Sequence, residues 1–284
     1  MTNSSDALFR AWAQFVFDTF VTAGGWVQTA DTGQVTISTM AHPVGASTQV
    51  GYHVYRMADA LQATKPCFVR VAFGSGSAAN TPLLTVTIGQ GSDGAGNITN
   101  VLCGPLSVTS ALNAASGTNS YGSADTNRCH LLMFVRNAAT DSLLFSIERT
   151  HDASTGADTG DGFLVTYQDT TPGTLTLWVN WVFGPQPVGE RWCVVLSNQT
   201  ISSFGSNTGI GFPLHFKGFV QPVALGVIVT NSGDYLAAAQ PTLAVYGVNH
   251  QYQLADSATS AFSVATGNGG STGANNKRIG IRYE

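Results

Sequence analysis

The chain has 284 residues and a formal net charge of −4; 43% of the residues are hydrophobic and only 10% are charged. This composition excludes a disordered chain, because a chain of this length and hydrophobic content can bury a sizeable core. Charged residues usually make up about 25% of a soluble protein. We therefore expect a surface of uncharged polar groups and glycine, which is common in proteins packed into assemblies.

Nucleic acid and membrane are not expected as partners. The 12 Lys and Arg residues are scattered apart from one small cluster, Lys277, Arg278 and Arg282, whereas nucleic-acid binding requires a contiguous basic face. No stretch reaches the roughly 18–20 apolar residues of a membrane-spanning helix. The N-terminus lacks the basic residues of a signal peptide, so we expect synthesis in the cytoplasm of the producing cell.

The first predicted element is a helix over residues 6–23, which Gly24 and Gly25 end. Its apolar residues recur at helical spacing after suitable N-cap residues at positions 4–6. Aromatic side chains lie on nearly every side of this helix. We expect Trp12, Phe15 and Phe20 to face a sheet. The other apolar side chains are expected to form an exposed patch for assembly, namely Phe9, Val16 and Phe17. The alternative is a helix enclosed between the sheet and a long loop such as residues 104–125.

Beyond this helix, short stretches of alternating apolar and polar residues are separated by Gly, Pro, Asn and Ser. Alternation with a period of two is typical of half-buried strands. Strands are predicted at residues 26–28, 34–40, 50–57, 67–73, 83–88, 131–136, 143–150, 163–167, 174–183, 192–196, 220–230, 242–246 and 279–283. Two polar, Gly-rich segments, 104–125 and 151–162, are predicted to be loops.

Roughly a dozen strands separated by turns predict an all-β fold. We expect a β-sandwich, jelly-roll-like, with one N-terminal α-helix. The predicted organisation is an N-terminal helix at residues 1–25 and a β-sandwich domain at residues 26–284.

Two glycine motifs have the spacing of catalytic or cofactor motifs. Gly89, Gly91 and Gly94 match G-x-G-x-x-G after a strand, but a dinucleotide loop requires a helix beginning at the glycines and an acidic residue about 20 positions later. Here a turn and a strand follow, so we predict a β-hairpin turn. The G-x-S-x-G match at residues 269–273 lies in a Gly- and Ser-rich segment, not at a strand-to-helix elbow, and is predicted to be a loop.

Acidic residues and histidines offer weaker candidates. One polar segment contains His151, Asp152, Asp158 and Asp161, whose spacing lacks the regular ligands of a calcium loop; a solvated loop is preferred and weak calcium binding is the alternative. Carboxylates for glycoside cleavage would come from Glu148, Asp152, Asp169 and Glu190, but nothing selects two of them. We therefore assign no catalytic, metal-binding or cofactor-binding residue and no cofactor, and we predict that the chain is not an enzyme.

The four cysteines are widely spaced among apolar residues: Cys67, Cys103, Cys129 and Cys193. No C-x-x-C pair occurs, so a zinc site is not expected. Buried thiols are the preferred interpretation, because cysteine outside disulfides is among the most buried residue types. Two disulfides are the alternative for a protein that functions outside a cell.

Three phrases occur in order in the first third of the chain: GWVQTADTGQ at residues 25–34, YHVYRMADALQATKP at 52–66 and GQGSDGAGN at 89–97. In this order they resemble a group of virion proteins of tailed bacteriophages, over roughly residues 25–104. Members of that group are described as structural or tail-associated, and the phrases contain no catalytic motif. The resemblance implies a particle component that is located in the virion and contacts other virion proteins.

Composition and resemblance together predict a structural virion component that forms a symmetric oligomer. A position in the tail, the baseplate or a fibre is preferred, and a capsid decoration protein is the alternative. Another interpretation is a carbohydrate-binding β-sandwich that recognises a host-surface glycan, since aromatic rings stack on sugars and three tryptophans are close in sequence, Trp178, Trp181 and Trp192. A hydrolase of cell-surface polymer has the least support, because no catalytic site is assigned.

Overall fold

The computed structural model describes residues 6–76, 82–109, 119–135, 143–151, 155, 157–171, 174–182, 191–192, 212–214, 224–231, 240–245, 248–254, 262–266, 270–274 and 277–283. Most of these residues lie in β-strands, nearly all in antiparallel pairs, and one α-helix lies at the N-terminal end. The predicted all-β fold with one N-terminal helix is confirmed. Among the described residues, no helix is long and apolar enough to cross a bilayer.

The chain forms two compact units. The first contains residues 1–118 and 124–129, and the second contains residues 119–123 and 130–284. The N-terminal helix belongs to the first unit. The predicted division after residue 25 stays a prediction.

The first unit begins with helix α1, Asp6–Phe17, which continues as a π-helical turn, Asp18–Ala23. Together they span the predicted helix. A five-stranded antiparallel sheet follows, in which the strands pair in chain order. Its strands are β1 (Val27–Gln28), β2 (Gln49–Arg56), β3 (Phe68–Ser75), β4 (Pro82–Ser92) and β5 (Ile98–Thr109). Two 3-10 helices, Ile37–Thr39 and Ala60–Ala63, lie in the connections.

The remaining strands form two sheets. In chain order they are β6 (Asn119–Asp125), β7 (Arg128–Val135), β8 (Leu143–His151), β9 (Asp158–Thr171), β10 (Thr174–Val182), β11 (Arg191–Trp192), β12 (Phe212–Leu214), β13 (Ala224–Asn231), β14 (Thr242–Val245), β15 (Val248–Leu254), β16 (Phe262–Thr266), β17 (Gly270–Ala274) and β18 (Lys277–Arg282). One sheet has the order β17-β16-β10-β9-β8-β7-β6, with β11 beside β10, and the other has the order β12-β13-β18-β15-β14. Strand β13 packs against β8, so the two sheets meet as in a sandwich.

One predicted strand is wrong. Residues 34–40 contain the 3-10 helix Ile37–Thr39 instead. The side-chain oxygen of Gln34 accepts a hydrogen bond from the backbone N–H of Val54 at 2.9 Å. This side chain occupies the position in which a neighbouring strand would place a backbone carbonyl, and regular strand pairing along β2 therefore ends.

Three predicted loops contain strands. Within 104–125, Leu106 and Val108 continue the pairing of β5 with β4, and β6 occupies the C-terminal part. Strand β9 already begins at Asp158, inside the predicted loop 151–162. The segment with the G-x-S-x-G match forms β17, which pairs with β16. These strands are rich in small or polar residues, so backbone pairing rather than side-chain hydrophobicity defines them.

The π-helical turn determines where the helix places its last aromatic side chains. The backbone N–H of Gly24 donates to the carbonyl of Thr19 at 3.0 Å, an i→i−5 bond that makes this turn wider than an α-helical turn. Phe20 stacks on Tyr55 of β2 with ring centroids 4.6 Å apart, and it meets Trp26 edge-on at 5.1 Å. The helix is thus packed on one face of the five-stranded sheet.

The expectation of an exposed apolar patch on the helix is wrong. Phe9 and Val16 are buried, with 4% and 0% of their surface exposed. Phe17 packs against the rings of His53 and Tyr55. Among the described side chains, no large hydrophobic residue of the helix is exposed. The helix is a core element of the first unit.

The preferred interpretation of the cysteines is confirmed where they are described. Cys67, Cys103 and Cys129 are buried thiols that are not in disulfides. Burial raises the pKa of the Cys129 thiol well above its ordinary value. Cys193 lies outside the described residues.

Replacing Phe20 by Ala tests the importance of this packing. We expect Phe20→Ala to lower the free energy of unfolding by about 3–5 kcal/mol, because the ring is fully buried between two aromatic side chains and its removal leaves a cavity. Urea denaturation followed by circular dichroism measures this change. The control, Val44→Ala, removes methyl groups from a side chain that is 88% exposed, and should change stability by less than about 0.5 kcal/mol. If the two substitutions lowered the free energy of unfolding equally, the packing of Phe20 between the two rings would be contradicted.

Candidate functional site

A network of polar groups around Tyr52 joins three separated parts of the first unit. The Tyr52 hydroxyl donates a hydrogen bond to the carbonyl oxygen of Thr32 at 2.7 Å, and the Ala95 carbonyl lies 3.2 Å from the same hydroxyl. The Thr32 backbone N–H donates to the Gly94 carbonyl at 2.9 Å. The Arg70 guanidinium lies 4.4 Å from the centre of the Tyr52 ring. We call this set of residues, with Asp31 and residues 92–97, the Tyr52 cluster.

The glycines of the G-x-G-x-x-G match belong to the β4–β5 hairpin, as predicted. Ser92 pairs with Ile98 across the end of this hairpin. A Cβ atom on Gly89 would collide with Ile98 and with the backbone of the opposite strand, and a Cβ atom on Gly96 would collide with the Tyr52 ring. These glycines therefore allow the two strands and Tyr52 to approach one another closely.

Two carboxylates use the backbone amides of this turn. Asp93 accepts hydrogen bonds from the backbone N–H groups of Ala95 and Asn97, at 2.8 and 3.0 Å. The Gly96 N–H donates to Asp31 at 2.9 Å, and the Ser92 hydroxyl donates to the same carboxylate. In a phosphate-binding loop such amides point at the ligand. Here the protein's own carboxylates occupy them.

Hydrogen bonds keep both carboxylates ionised. The side chain of Asn97, followed by the backbone amides of the turn, lowers the pKa of Asp93. Burial by itself would raise the pKa of Asp31, but hydrogen bonds, including those from Ser92 and Gly96, hold it below the ordinary value. Charged acceptors make these bonds stronger than bonds between neutral groups. The cluster therefore holds the hairpin tip over β2.

A second polar cluster lies inside the second unit, on β7 and β8. The Nδ1 atom of His130 is 2.7 Å from the Ser146 hydroxyl, and its Nε2 atom is 3.8 Å from a carboxylate oxygen of Glu148. Gly226 of β13 lies directly against this pair, since a Cβ atom there would overlap the His130 ring and the Glu148 carboxylate. The cluster therefore lies between the two sheets.

The residue types of this second cluster are those of a serine nucleophile with a histidine base and an orienting carboxylate. Catalysis also requires that a substrate reach the nucleophile. Ser146, His130 and Glu148 have 1%, 0% and 3% of their surface exposed. In this conformation the arrangement connects two strands in the interior and presents no hydroxyl to a substrate.

The other candidate residues from the sequence lie on β8 and β9 or outside the described residues. Of the four carboxylates considered for glycoside cleavage, Glu148 is buried and Asp169 lies on β9 opposite Thr176. His151 and Asp158 are cross-strand neighbours, and Asp161 lies further along β9. Asp152 and Glu190 lie outside the described residues. Within the described part of the chain, no three His, Cys, Asp or Glu side chains form a group that could hold a metal ion.

Sequence reasoning missed both clusters, although part of each was visible. Ser146 and Glu148 are two positions apart on one strand, a spacing that places them on the same face. Their histidine partner comes from the neighbouring strand and cannot be identified from spacing alone. Comparison with known proteins adds no assignment: no family model, no curated protein and no solved structure matches this chain.

Removal of the Tyr52 hydroxyl tests the first cluster. Tyr52→Phe is expected to lower the free energy of unfolding by about 1 kcal/mol, because carbonyl acceptors in the hairpin tip and the 31–33 segment lose their donor. Thermal denaturation measures the change. Tyr283→Phe removes the same group from a side chain that is 43% exposed, and should have almost no effect. If Tyr52→Phe leaves the free energy of unfolding unchanged, the cluster does not hold the hairpin.

Filling the space at Gly226 tests the second cluster. We expect Gly226→Ala to destabilise the chain by about 1–3 kcal/mol, since the added methyl group overlaps two buried side chains that have little room to move. The control is Gly45→Ala, where the nearest atom to the new Cβ is the Thr48 hydroxyl at 3.2 Å. Urea midpoints compare the two variants. An unchanged midpoint for Gly226→Ala would contradict the described packing of β13 on β7 and β8.

Proposed function

We propose that the chain is a structural component of a bacteriophage virion, associated with the tail, the baseplate or a fibre, and that it assembles with other virion proteins as a symmetric oligomer. The supporting observation is the Tyr52 cluster. Its residues come from all three phrases that resemble phage virion proteins: Asp31 and Thr32 from the first, Tyr52 from the second and Gly94 from the third. The phrases therefore share one structural role.

That role is mechanical. The polar groups of the cluster bond to one another across more than 60 positions of sequence, as between Asp31 and Gly96. Side chains used in this way secure a loop and a hairpin to a sheet. A protein that transmits or withstands force in a particle benefits from such connections. The low charged fraction of 10% also supports a surface that is covered by neighbouring subunits.

A capsid decoration protein is the alternative position within the same proposal. A carbohydrate-binding role has one observation in its favour: Trp192 pairs with Val179 across β10 and β11, so the tryptophans at 178, 181 and 192 lie on two adjacent strands. A host-surface glycan would be the ligand. Retention of the full chain on immobilised host polysaccharide, lost on replacement of these tryptophans by alanine in a folded variant, would favour this role.

Quantification of the chain in purified particles tests the proposal. Virions purified from a lysate in which the chain is expressed are expected to contain it in a constant ratio to the major capsid protein, measured by quantitative mass spectrometry. A few copies, located by immunogold labelling at the tail, would support the preferred position. A high copy number over the capsid would support decoration.

The control for this measurement is an abundant cytoplasmic enzyme of the host, which reports contamination of the particle preparation. If the chain is depleted from virions as strongly as that enzyme, the proposal is wrong. A monomer in solution by light scattering, together with single copies per particle, would contradict the symmetric oligomer.

A further inference from the structure

His53 lies where the end of the N-terminal helix meets the five-stranded sheet. Only 2% of its surface is exposed. The Phe17 ring meets it edge-on with centroids 5.7 Å apart, and Phe73 of β3 meets it edge-on at the same distance. An imidazole in this position is enclosed by aromatic rings on the helix side and on the sheet side.

Two hydrogen bonds determine which nitrogen of this ring carries the proton. Nε2 is 2.8 Å from the carbonyl oxygen of Val35, which can only accept, so Nε2 must donate. Nδ1 is 2.8 Å from the hydroxyl of Tyr55. In the neutral ring Nδ1 is therefore the acceptor, and the Tyr55 hydroxyl donates to it. In the neutral ring each nitrogen therefore has a partner of the matching kind, a carbonyl acceptor for Nε2 and a hydroxyl donor for Nδ1.

Protonation of the ring disturbs this arrangement. Nδ1 becomes a donor, and the Tyr55 hydroxyl must turn its own proton toward another acceptor, although Tyr55 is fully buried under Phe20. A positive charge would also be placed on a buried ring whose two described hydrogen-bond partners are uncharged, which is unfavourable. In keeping with this, burial lowers the pKa of His53, and the hydrogen bond to Val35 only partly offsets the effect.

We propose that His53 is an acid-sensitive latch that holds the C-terminal end of the helix, Phe17 and the π-helical turn, on the sheet, and that protonation of its ring releases this end. Release would expose the rings of Phe17, Phe20 and Tyr55 to solvent. The inference concerns the first unit only, and it stands whether or not the chain is a virion component.

The contacts of Asp6 near the other end of the helix persist in mild acid. Asp6 accepts hydrogen bonds from the backbone N–H and the ring of His42, and Arg10 lies 3.4 Å from the same carboxylate. The His42 amide, followed by the His42 ring, lowers the pKa of Asp6, so this carboxylate stays charged in mild acid. Opening should therefore begin at the π-helical turn.

Two other titratable groups described at this end, Cys129 and Asp18, lie close enough to Tyr55 to affect its pKa. Burial, followed by the proximity of Cys129 and Asp18, raises the pKa of Tyr55 well above its ordinary value. Tyr55 therefore remains neutral across the range in which histidine titrates. Of the two hydrogen-bonded rings described here, His53 and Tyr55, His53 is therefore the one whose charge changes in mild acid.

The direction of the pH dependence follows from linkage. The pKa of His53 in the folded state lies below the ordinary value of 6.5, so the open state binds the proton first as the pH falls. The His53 contacts stabilise the packed helix end fully above pH 6.5. This stabilisation is lost as the pH falls through the folded-state pKa of His53. Because a single proton is bound, the equilibrium constant for opening of the helix end changes by at most about tenfold per pH unit.

Hydrogen exchange of the full chain, measured by mass spectrometry at pH 7.5 and 5.0 and expressed as protection factors, tests the latch. Peptides covering residues 15–26 should lose roughly tenfold in protection at the lower pH, while peptides covering β15 and β18 should not change. His53→Gln keeps a donor for Val35 and an acceptor for Tyr55 but does not titrate, and should remove the loss. His42→Gln should retain it.

Two results would overturn the proposal: an undiminished loss of protection in His53→Gln, or no loss in the wild-type chain. If His53→Gln fails to fold, the ring nitrogens of the wild-type chain supply the answer by NMR. The expected results are a proton on Nε2 in the neutral His53 ring and a His53 pKa below 6.5. A His53 pKa at or above 6.5, or a proton on Nδ1 of the neutral ring, would equally overturn the proposal.

Discussion

The first unit depends on one aromatic stack, in which Phe20 lies between Tyr55 of the sheet and Trp26 after the helix. Trp26 also donates its ring N–H to the carbonyls of Asp125 and Arg128, at 2.8 and 3.2 Å, across about a hundred positions of sequence. The stack therefore joins the helix, the sheet and the turn between β6 and β7. Because burial of these rings contributes several kcal/mol, the polar contacts around them need only select the geometry.

The low charge of the chain is reflected in how its interior polar groups are satisfied. His53 bonds to a carbonyl and a hydroxyl, His130 bonds to the Ser146 hydroxyl, and Gln253 bonds to the side chain of Gln240. Neutral partners avoid most of the desolvation cost that buried ions carry. This has a consequence for pH at His53, because acid adds a charge to a buried imidazole whose two hydrogen-bond partners are uncharged.

Alternation along the chain was enough to predict the fold class and most strands of the first unit, because buried and half-buried residues alternate along much of β4 and the first half of β3. It failed where pairing, not hydrophobicity, defines a strand, as in Gly270–Ala274, and where a side chain replaces a backbone acceptor, as with Gln34. The burial of Phe9 and Val16 was missed for another reason: the segment around the 3-10 helix Ile37–Thr39 also packs against the helix, and residue spacing along the helix does not show which connection covers it. The hairpin at Gly89 was predictable, whereas its contact with Tyr52 joins distant positions.

That contact gives the three sequence phrases a physical meaning. Asp31 needs the Gly96 amide, Tyr52 needs carbonyls on both sides of it, and Gly96 must lack a side chain so that Tyr52 can fit. In each case a residue of one phrase depends on a residue of another phrase. A change in one phrase would leave a charged or polar group of another without its partner, which costs more than the bond itself contributes. Chains that share all three phrases are therefore expected to share this hairpin geometry, even where the remainder of the sequence differs.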